Sequence, residues 1–151
     1  MPVIPSAQLG YCSYVVPDLD AAVAFFTDYL GFEVVSTYGP VQAPADDYDY
    51  LTRTYAVPER SVGRGALLRS GNGDLEFAEW KVYDHGLNPL RESSFPGCHI
   101  ALRVPDLEET LAVFRTIHRM LILDVSGDGF VYCITPFGFQ IKLIRAEQVF
   151  S

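Results

Sequence analysis

The sequence predicts an α+β fold of two βαβββ modules in tandem, and three observations predict it. The stretch Tyr11-Cys12-Ser13-Tyr14-Val15-Val16-Pro17-Asp18-Leu19-Asp20 returns 88 residues later as His99-Ile100-Ala101-Leu102-Arg103-Val104-Pro105-Asp106-Leu107-Glu108. Self-similarity at a fixed offset marks a duplicated structural unit. In each copy an apolar strand runs into Val-Pro-Asp-Leu-acid and then a helix, with Phe26 and Phe114 at matching places. Each helix is followed by three strand-like runs with Gly-containing turns. A paired fold of this kind sets corresponding residues of both halves around one shared cavity.

In the first module, residues 9–16 read as a strand that Pro17 stops. Asp18 is a natural N-cap for a helix over 19–29, whose Leu19, Val23, Phe26 and Leu30 recur at helical spacing. Gly31 ends it as the residue after the cap. A second strand spans 32–38. Residues 39–60 form a long acidic loop with Asp46, Asp47 and Asp49, and with a helical turn near 50–55. Strands over 62–69 and 74–81 make a hairpin across Ser70-Gly71-Asn72-Gly73.

The cycle restarts with a strand over 99–104, a helix over 107 to about 118 capped by Asp106, and strands over 121–125, 130–135 and 139–144. Ser126-Gly127-Asp128-Gly129 and Pro136-Phe137-Gly138 supply the turns. The expected organisation is therefore a first module over 1–82 with the insertion 39–60, a linker over 83–97, and a second module over 98–151, together one structural domain. The pair Leu75-Glu76-Phe77 and Ile141-Lys142-Leu143 is offset by only 66 residues, and the insertion accounts for the shortfall. An irregular loop of that length is usually functional or disordered. Tyr48, Tyr50 and Tyr55 make it either a lid over the cavity or a surface excursion packed by its own aromatics.

With 151 residues, nearly half of them apolar, the chain can bury a full core. A net charge of −8 argues against nucleic acid, whose phosphates need a basic face, and against anionic membranes. No apolar run reaches transmembrane length, and Met1-Pro2-Val3-Ile4-Pro5 does not read as a signal peptide. Cys12, Cys98 and Cys133 fit free buried thiols in a reducing compartment, so a cytoplasmic location is expected. Ser13 and the cysteines lack a nucleophile motif, Gly63-Arg64-Gly65 is too short to be one, and there is no phosphate loop or dinucleotide fingerprint.

Val15-Val16-Pro17-Asp18-Leu19-Asp20, Phe26 followed by Tyr29-Leu30-Gly31-Phe32, Leu75-Glu76-Phe77, His99 to Val104, and Gly138 to Leu143 together resemble the vicinal oxygen chelate superfamily. That superfamily includes glyoxalase I, methylmalonyl-CoA epimerase, extradiol dioxygenases, fosfomycin-resistance enzymes and bleomycin-resistance proteins. The resemblance spans nearly the whole chain. It implies mixed sheets curled around a shared cavity, and a homodimer. Fold alone does not give function, since the superfamily hosts many chemistries.

In metal-using members, the resemblance places ligands at positions that here are Tyr11, Glu76, His99 and Lys142. Glu76 and His99 suit a metal. Tyrosine, with a pKa of about 10, is a poor ligand near neutral pH, and an ammonium offers no lone pair. No cofactor is therefore expected; a divalent metal, if present, would take His99 and Glu76. By the repeat, Glu76 and Lys142 occupy equivalent places. An ammonium there replaces a metal's charge, pairs with Glu76, or meets an anionic substrate or developing enolate; otherwise it points to solvent. His99 is either a hydrogen-bonded core residue or a general acid or base. Tyr11 could donate to a substrate oxygen.

Trp80 shares the strand face of Glu76 and either lines the pocket or packs in core or interface, while Glu79 points the other way. His85, in Tyr83-Asp84-His85-Gly86, is a rim contact or a solvent-exposed residue. His118, with Arg115 and Arg119, reads as a cation at a helix C-terminus. Phe77, Tyr132 and Phe139 read as core. Arg53, Arg60, Arg64 and Arg69 read as surface charge or as binders of an acidic group.

The functional expectation is a metal-independent enzyme doing proton transfer on a small oxygenated organic molecule, as an isomerase, epimerase or lyase. Its base and acid would be His99 and Glu76, with Lys142 and Tyr11 on the carbonyl or oxyanion. One alternative is a non-catalytic protein that sequesters a small molecule of antibiotic type through Trp80 and the loop tyrosines. A second is a metal-dependent lyase or dioxygenase with an atypical ligand set.

Overall fold

The computed structural model describes residues 9–55, 57–81, 99–123 and 129–146. Contacts divide the chain into two compact units, Met1–Gly86 and Leu87–Ser151. The first runs β1 (Cys12–Val15), α1 (Leu19–Asp28), β2 (Glu33–Val41), α2 (Tyr50–Tyr55), β3 (Val62–Ser70) and β4 (Gly73–Lys81). The second runs β5 (Ile100–Val104), α3 (Leu107–Phe114), β6 (Leu121–Ile122), β7 (Phe130–Ile134) and β8 (Gln140–Arg145). The sheets have the same topology, β1-β4-β3-β2 and β5-β8-β7-β6. In each, the first strand lies parallel to the last and the other pairings are antiparallel.

The repeat also holds at the level of register. Ser13 pairs with Glu76 in β1–β4, and Ala101 pairs with Lys142 in β5–β8. The positions that the sequence aligns are therefore the positions that the hydrogen-bond ladders align. Phe26 and Phe114, matched in the repeat, are both buried.

Both longer helices start as their sequences predict. Asp18 and Asp106 have extended backbones, and their side chains accept from the N–H of Ala21 at 3.0 Å and of Glu109 at 2.9 Å. Each satisfies one of the donors that a helix start leaves open. Asp18→Ala or Asp106→Ala should each cost about 1 kcal/mol, read as a lower denaturation midpoint with unchanged far-UV dichroism. Gly31 takes a left-handed φ of 69° just past α1, as expected of a helix stop.

The helices bury one face on their own sheets. Phe26 meets Phe77 of β4 edge-on, with ring centroids 4.8 Å apart. Leu107, Leu111 and Phe114 are buried on α3, which lies against β8, where Ile141 and Leu143 are fully buried. Period-2 alternation then leaves the even positions of β4 and β8, Glu76 and Lys142 among them, on the sheet face away from the helix.

Several expectations need correction. The first strand begins at Cys12, not residue 9, and Leu9 is exposed. β2 runs on to Val41, through the position where a loop was expected. A register shift between Tyr38 and Val41 absorbs Gly39 and Pro40 as a bulge, so the strand continues instead of ending. The helix expected to reach 118 stops at Phe114. Thr116 and Ile117 donate to carbonyls three residues back, and the Thr116 hydroxyl also takes the Val113 carbonyl at 2.7 Å, which tightens and ends the helix. His118 is thus beyond the helix, and Arg119 has a left-handed φ of 65°. Phe139 lies in the β7–β8 turn, half-buried and stacked on Phe137, not in the core. Cys12 is exposed, whereas Cys133 is buried and its thiol is pushed up to about 11 by burial. The linker 83–97, His85, Cys98 and the turn residues Ser126, Gly127 and Asp128 lie outside the described residues. Among the described residues, no helix is long and apolar enough to cross a membrane.

Candidate functional site

In the first unit the sheet face opposite α1 carries the polar cluster. Strand pairing sets Ser13, Glu76 and Leu67 side by side, then Ala78, Gly65 and Tyr38, then Trp80 and Gly63. The Ser13 hydroxyl donates to Glu76 Oε1 at 2.6 Å. The Tyr38 phenol is pushed up to about 12, first by burial, then by the neighbouring Glu76 carboxylate and Tyr11, with further contributions from a Glu76 hydrogen bond and Tyr55. It is therefore a neutral hydrogen-bond donor at any physiological pH.

Two glycines make room for this arrangement. A Cβ on Gly65 would overlap the Tyr38 ring, and one on Gly63 would overlap the Trp80 ring. The rings lie across β3 because that strand has no side chains there. Gly63-Arg64-Gly65, uninformative as a motif, is what lets the aromatic floor form.

Helix α2, in the insertion, brings Tyr50 and Tyr55 together at 6.0 Å and stands Tyr55 against Trp80 at 5.6 Å. Leu51 anchors the helix by full burial, and Arg53 ties Asp47 and Asp49 at 2.6 and 2.9 Å. Hydrogen bonding to Tyr50 raises the pKa of Tyr55. Tyr50, Tyr55 and Trp80 are thus brought together, whereas Tyr48 is exposed. Tyr38 went unnoticed in the sequence. Its face is set by the register shift between Val34 and Ser36, which simple alternation does not show.

In the second unit, strand pairing puts Lys142 beside Ala101 and Tyr132. The Lys142 ammonium sits 4.3 Å from the Phe130 ring centroid and 5.4 Å from that of Tyr132. A cation over aromatic faces is held electrostatically. His99 meets Tyr132 edge-on at 5.3 Å. Tyr132 is therefore not core, as the sequence suggested; it shares the Lys142 face and touches both candidate groups.

The donor set does not fit a divalent cation. Lys142 stands as an ammonium over Phe130 where the resemblance expects a ligand, and an ammonium has no lone pair to give. Among the described residues, no three His, Cys, Asp or Glu side chains gather as a metal would need.

The helix-side face of the first sheet is different in kind. A cavity of about 630 Å³ opens between α1, β2 and β3, lined by Val23, Thr27, Val34, Thr37 and Arg64 among others. None of the expected site residues lines it. Arg64 and Asp20 in its lining are already paired. Arg64 holds Glu79 at 3.1 and 3.2 Å and Asp20 at 3.1 and 3.3 Å, and Glu79 accepts from the Leu19 N–H at 2.8 Å. Arg64 is thus a structural clamp, not a free surface charge. Tyr38, Gly63 and Gly65 also contribute to the cavity lining, whereas Ser13, Glu76 and Trp80 do not.

Comparison with known proteins agrees with this architecture. The sequence profile of the Glyoxalase/Bleomycin resistance protein/Dioxygenase superfamily matches residues 8–141. A 2-epi-5-epi-valiolone epimerase of Actinomyces sp is 34% identical over 153 residues, covering 94% of this chain and 81% of that one. Among solved structures, a glyoxalase family protein from Bacillus cereus aligns with a TM-score of 0.70 at 15% identity, over 95% of this chain and 98% of that one. The trypanothione-dependent glyoxalase I of Leishmania major aligns with a TM-score of 0.62 at 22% identity, over 94% and 88%. A fosfomycin resistance protein from Mesorhizobium loti gives 0.59 at 11%, over 94% and 93%. With a profile covering most of its length, the two ladders in matching register and the duplicated strand–helix–strand order, the chain belongs to the Glyoxalase/Bleomycin resistance protein/Dioxygenase superfamily.

Proposed function

We propose that this protein is a metal-independent epimerase that moves a proton at a carbon next to a carbonyl in a small oxygenated molecule. The observation that carries the reading is Glu76. It is a carboxylate held by Ser13 on the open sheet face, in a chain 34% identical to a 2-epi-5-epi-valiolone epimerase.

The chemistry follows from the side chains. Glu76 and His99 are each suited to proton transfer at such a carbon. The electron pair left by the departing proton moves onto the carbonyl oxygen, giving an enolate. An ammonium such as that of Lys142, or a hydroxyl such as that of Tyr11, is suited to stabilising that oxyanion. Reprotonation at carbon restores the carbonyl, so nothing is oxidised, reduced or hydrolysed. An ammonium over Phe130 brings fixed positive charge without a metal.

The test is to incubate the protein with 2-epi-5-epi-valiolone and follow the carbon NMR spectrum, with chelator and with added Ni²⁺, Co²⁺, Zn²⁺ or Mn²⁺. The expected result is many turnovers to an epimer, unaffected by chelation. Tight one-to-one binding without product would overturn the reading in favour of sequestration. Turnover that appears only with an added metal would overturn the metal-independent part.

A further inference from the structure

The open face of the first unit grips its carboxylate from two sides. On one side, β1 sets Ser13 level with Glu76, and the Ser13 hydroxyl donates to Oε1 at 2.6 Å. On the other side, β3 separates Glu76 from β2, pairing Leu67 with Glu76 and Gly65 with Tyr38. The Tyr38 ring crosses that strand, since a Cβ on Gly65 would overlap its Cε1, Cζ and hydroxyl oxygen. The phenol end therefore lies over β3 and is hydrogen-bonded to Glu76 beyond it. The next residue fixes the root of the ring. Gly39 has a left-handed φ of 118°, and a Cβ there would come within 2.8 Å of the Arg64 Cβ and 3.0 Å of the Gly63 carbonyl oxygen. Two glycines, one on each strand, thus serve the placement of one phenol.

We propose that Ser13 and Tyr38 form a two-sided clamp that fixes the orientation of the Glu76 carboxylate, with Tyr38 as a positioning residue that Gly39 and Gly65 hold in place. A carboxylate has about four lone-pair sites, so two donors orient it and still leave room for an arriving proton. The inference rests on the epimerase reading for the proton step, whereas the clamp itself rests on the geometry of the sheet. Tyr38 acts through Glu76, so its loss lowers the rate of the proton step by misplacing the group that performs it.

Two readouts test the clamp, and one is independent of turnover. The Tyr38 phenol is pushed up to about 12, first by burial and then by the Glu76 carboxylate. Carbon NMR of the full chain with ring-labelled tyrosine follows its ionisation, with Tyr38 assigned through Tyr38→Phe. Glu76→Gln and Gly65→Ala should each bring the Tyr38 midpoint down toward the ordinary tyrosine value of about 10. The first removes the charge, and the second displaces the ring. In turnover of 2-epi-5-epi-valiolone, Tyr38→Phe, Ser13→Ala and Gly65→Ala should each lower kcat about 10-fold, the worth of one hydrogen bond, with KM near wild type. In a Glu76→Gln background they should lower the residual rate no further, which a general packing defect would not produce.

A Tyr38 midpoint that ignores Glu76→Gln would overturn the proposal, whether or not the protein turns over. So would wild-type kcat in both Tyr38→Phe and Ser13→Ala, or an equal loss with and without the Glu76 carboxylate. Epimerase turnover combined with any of these removes the clamp and leaves the proposed function. A Tyr38 midpoint that responds in a protein without epimerase activity does the reverse.

Discussion

Glu76→Gln should lower the epimerase kcat by about 10²–10⁴-fold, the usual contribution of a positioned proton-transfer group. The substitution is chosen for what it keeps. The amide oxygen can still accept from Ser13, which now donates to Oε1 at 2.6 Å, and the side-chain volume barely changes. What it loses is the ability to take a proton. Fold and melting temperature should therefore stay near wild type while turnover collapses. His99→Ala should give a loss of the same order, because His99 is the other proton-transfer group proposed. If either variant turned over like the wild type, the roles assigned to the pair would be wrong.

The second large effect concerns stability. Arg64→Ala should destabilise the first unit, read as a lower urea midpoint, since removing one partner of an ion pair strands the other, buried charge. The stranded group is Glu79, only 5% exposed, left with the Leu19 N–H and a distant Lys81 at 3.9 Å. The loss is tempered because the Arg64 side chain is 38% exposed.

The pH dependence has a definite sign. Burial alone would raise the Glu79 pKa, but the Arg64 and Leu19 hydrogen bonds outweigh it and hold the carboxyl below its usual 4.5. A depressed folded-state pKa contributes stability that is present above the unfolded value and is lost as pH falls through the folded one. Wild-type stability should thus drop on acidification below about 4.5, and Glu79→Gln should flatten that drop. Urea denaturation at neutral and acidic pH measures both. An acid dependence unchanged by Glu79→Gln would show that this clamp is not its source.

Much of the fold was legible because it is carried by local signals and by repetition. Asp18 and Asp106 cap their helices as read, α2 falls at the expected turn over Tyr50–Tyr55, and the repeat aligned Glu76 with Lys142 as the ladders do. The site was legible only in part. Glu76 and Trp80 share a face by simple alternation. Tyr38 joins them through a register shift between Val34 and Ser36 and a bare strand at Gly65, and neither has a pattern of its own. Arg64 looked like surface charge because its partners, Asp20 and Glu79, are 44 and 15 residues away in sequence. Tyr132 looked like core because an aromatic residue in an apolar strand is usually buried on the helix side. Here pairing with Lys142 puts it on the other face. The α3 terminus was missed because the Thr116 hydroxyl competes for a carbonyl that periodicity alone assigns to the helix.

The most direct test of the central claim is turnover of 2-epi-5-epi-valiolone in D₂O. Proton transfer at carbon predicts one solvent deuterium at the inverted carbon of each product molecule, with that incorporation lost in Glu76→Gln. Epimer formed without deuterium would contradict it, because the inversion would then proceed without an enolate that exchanges with solvent.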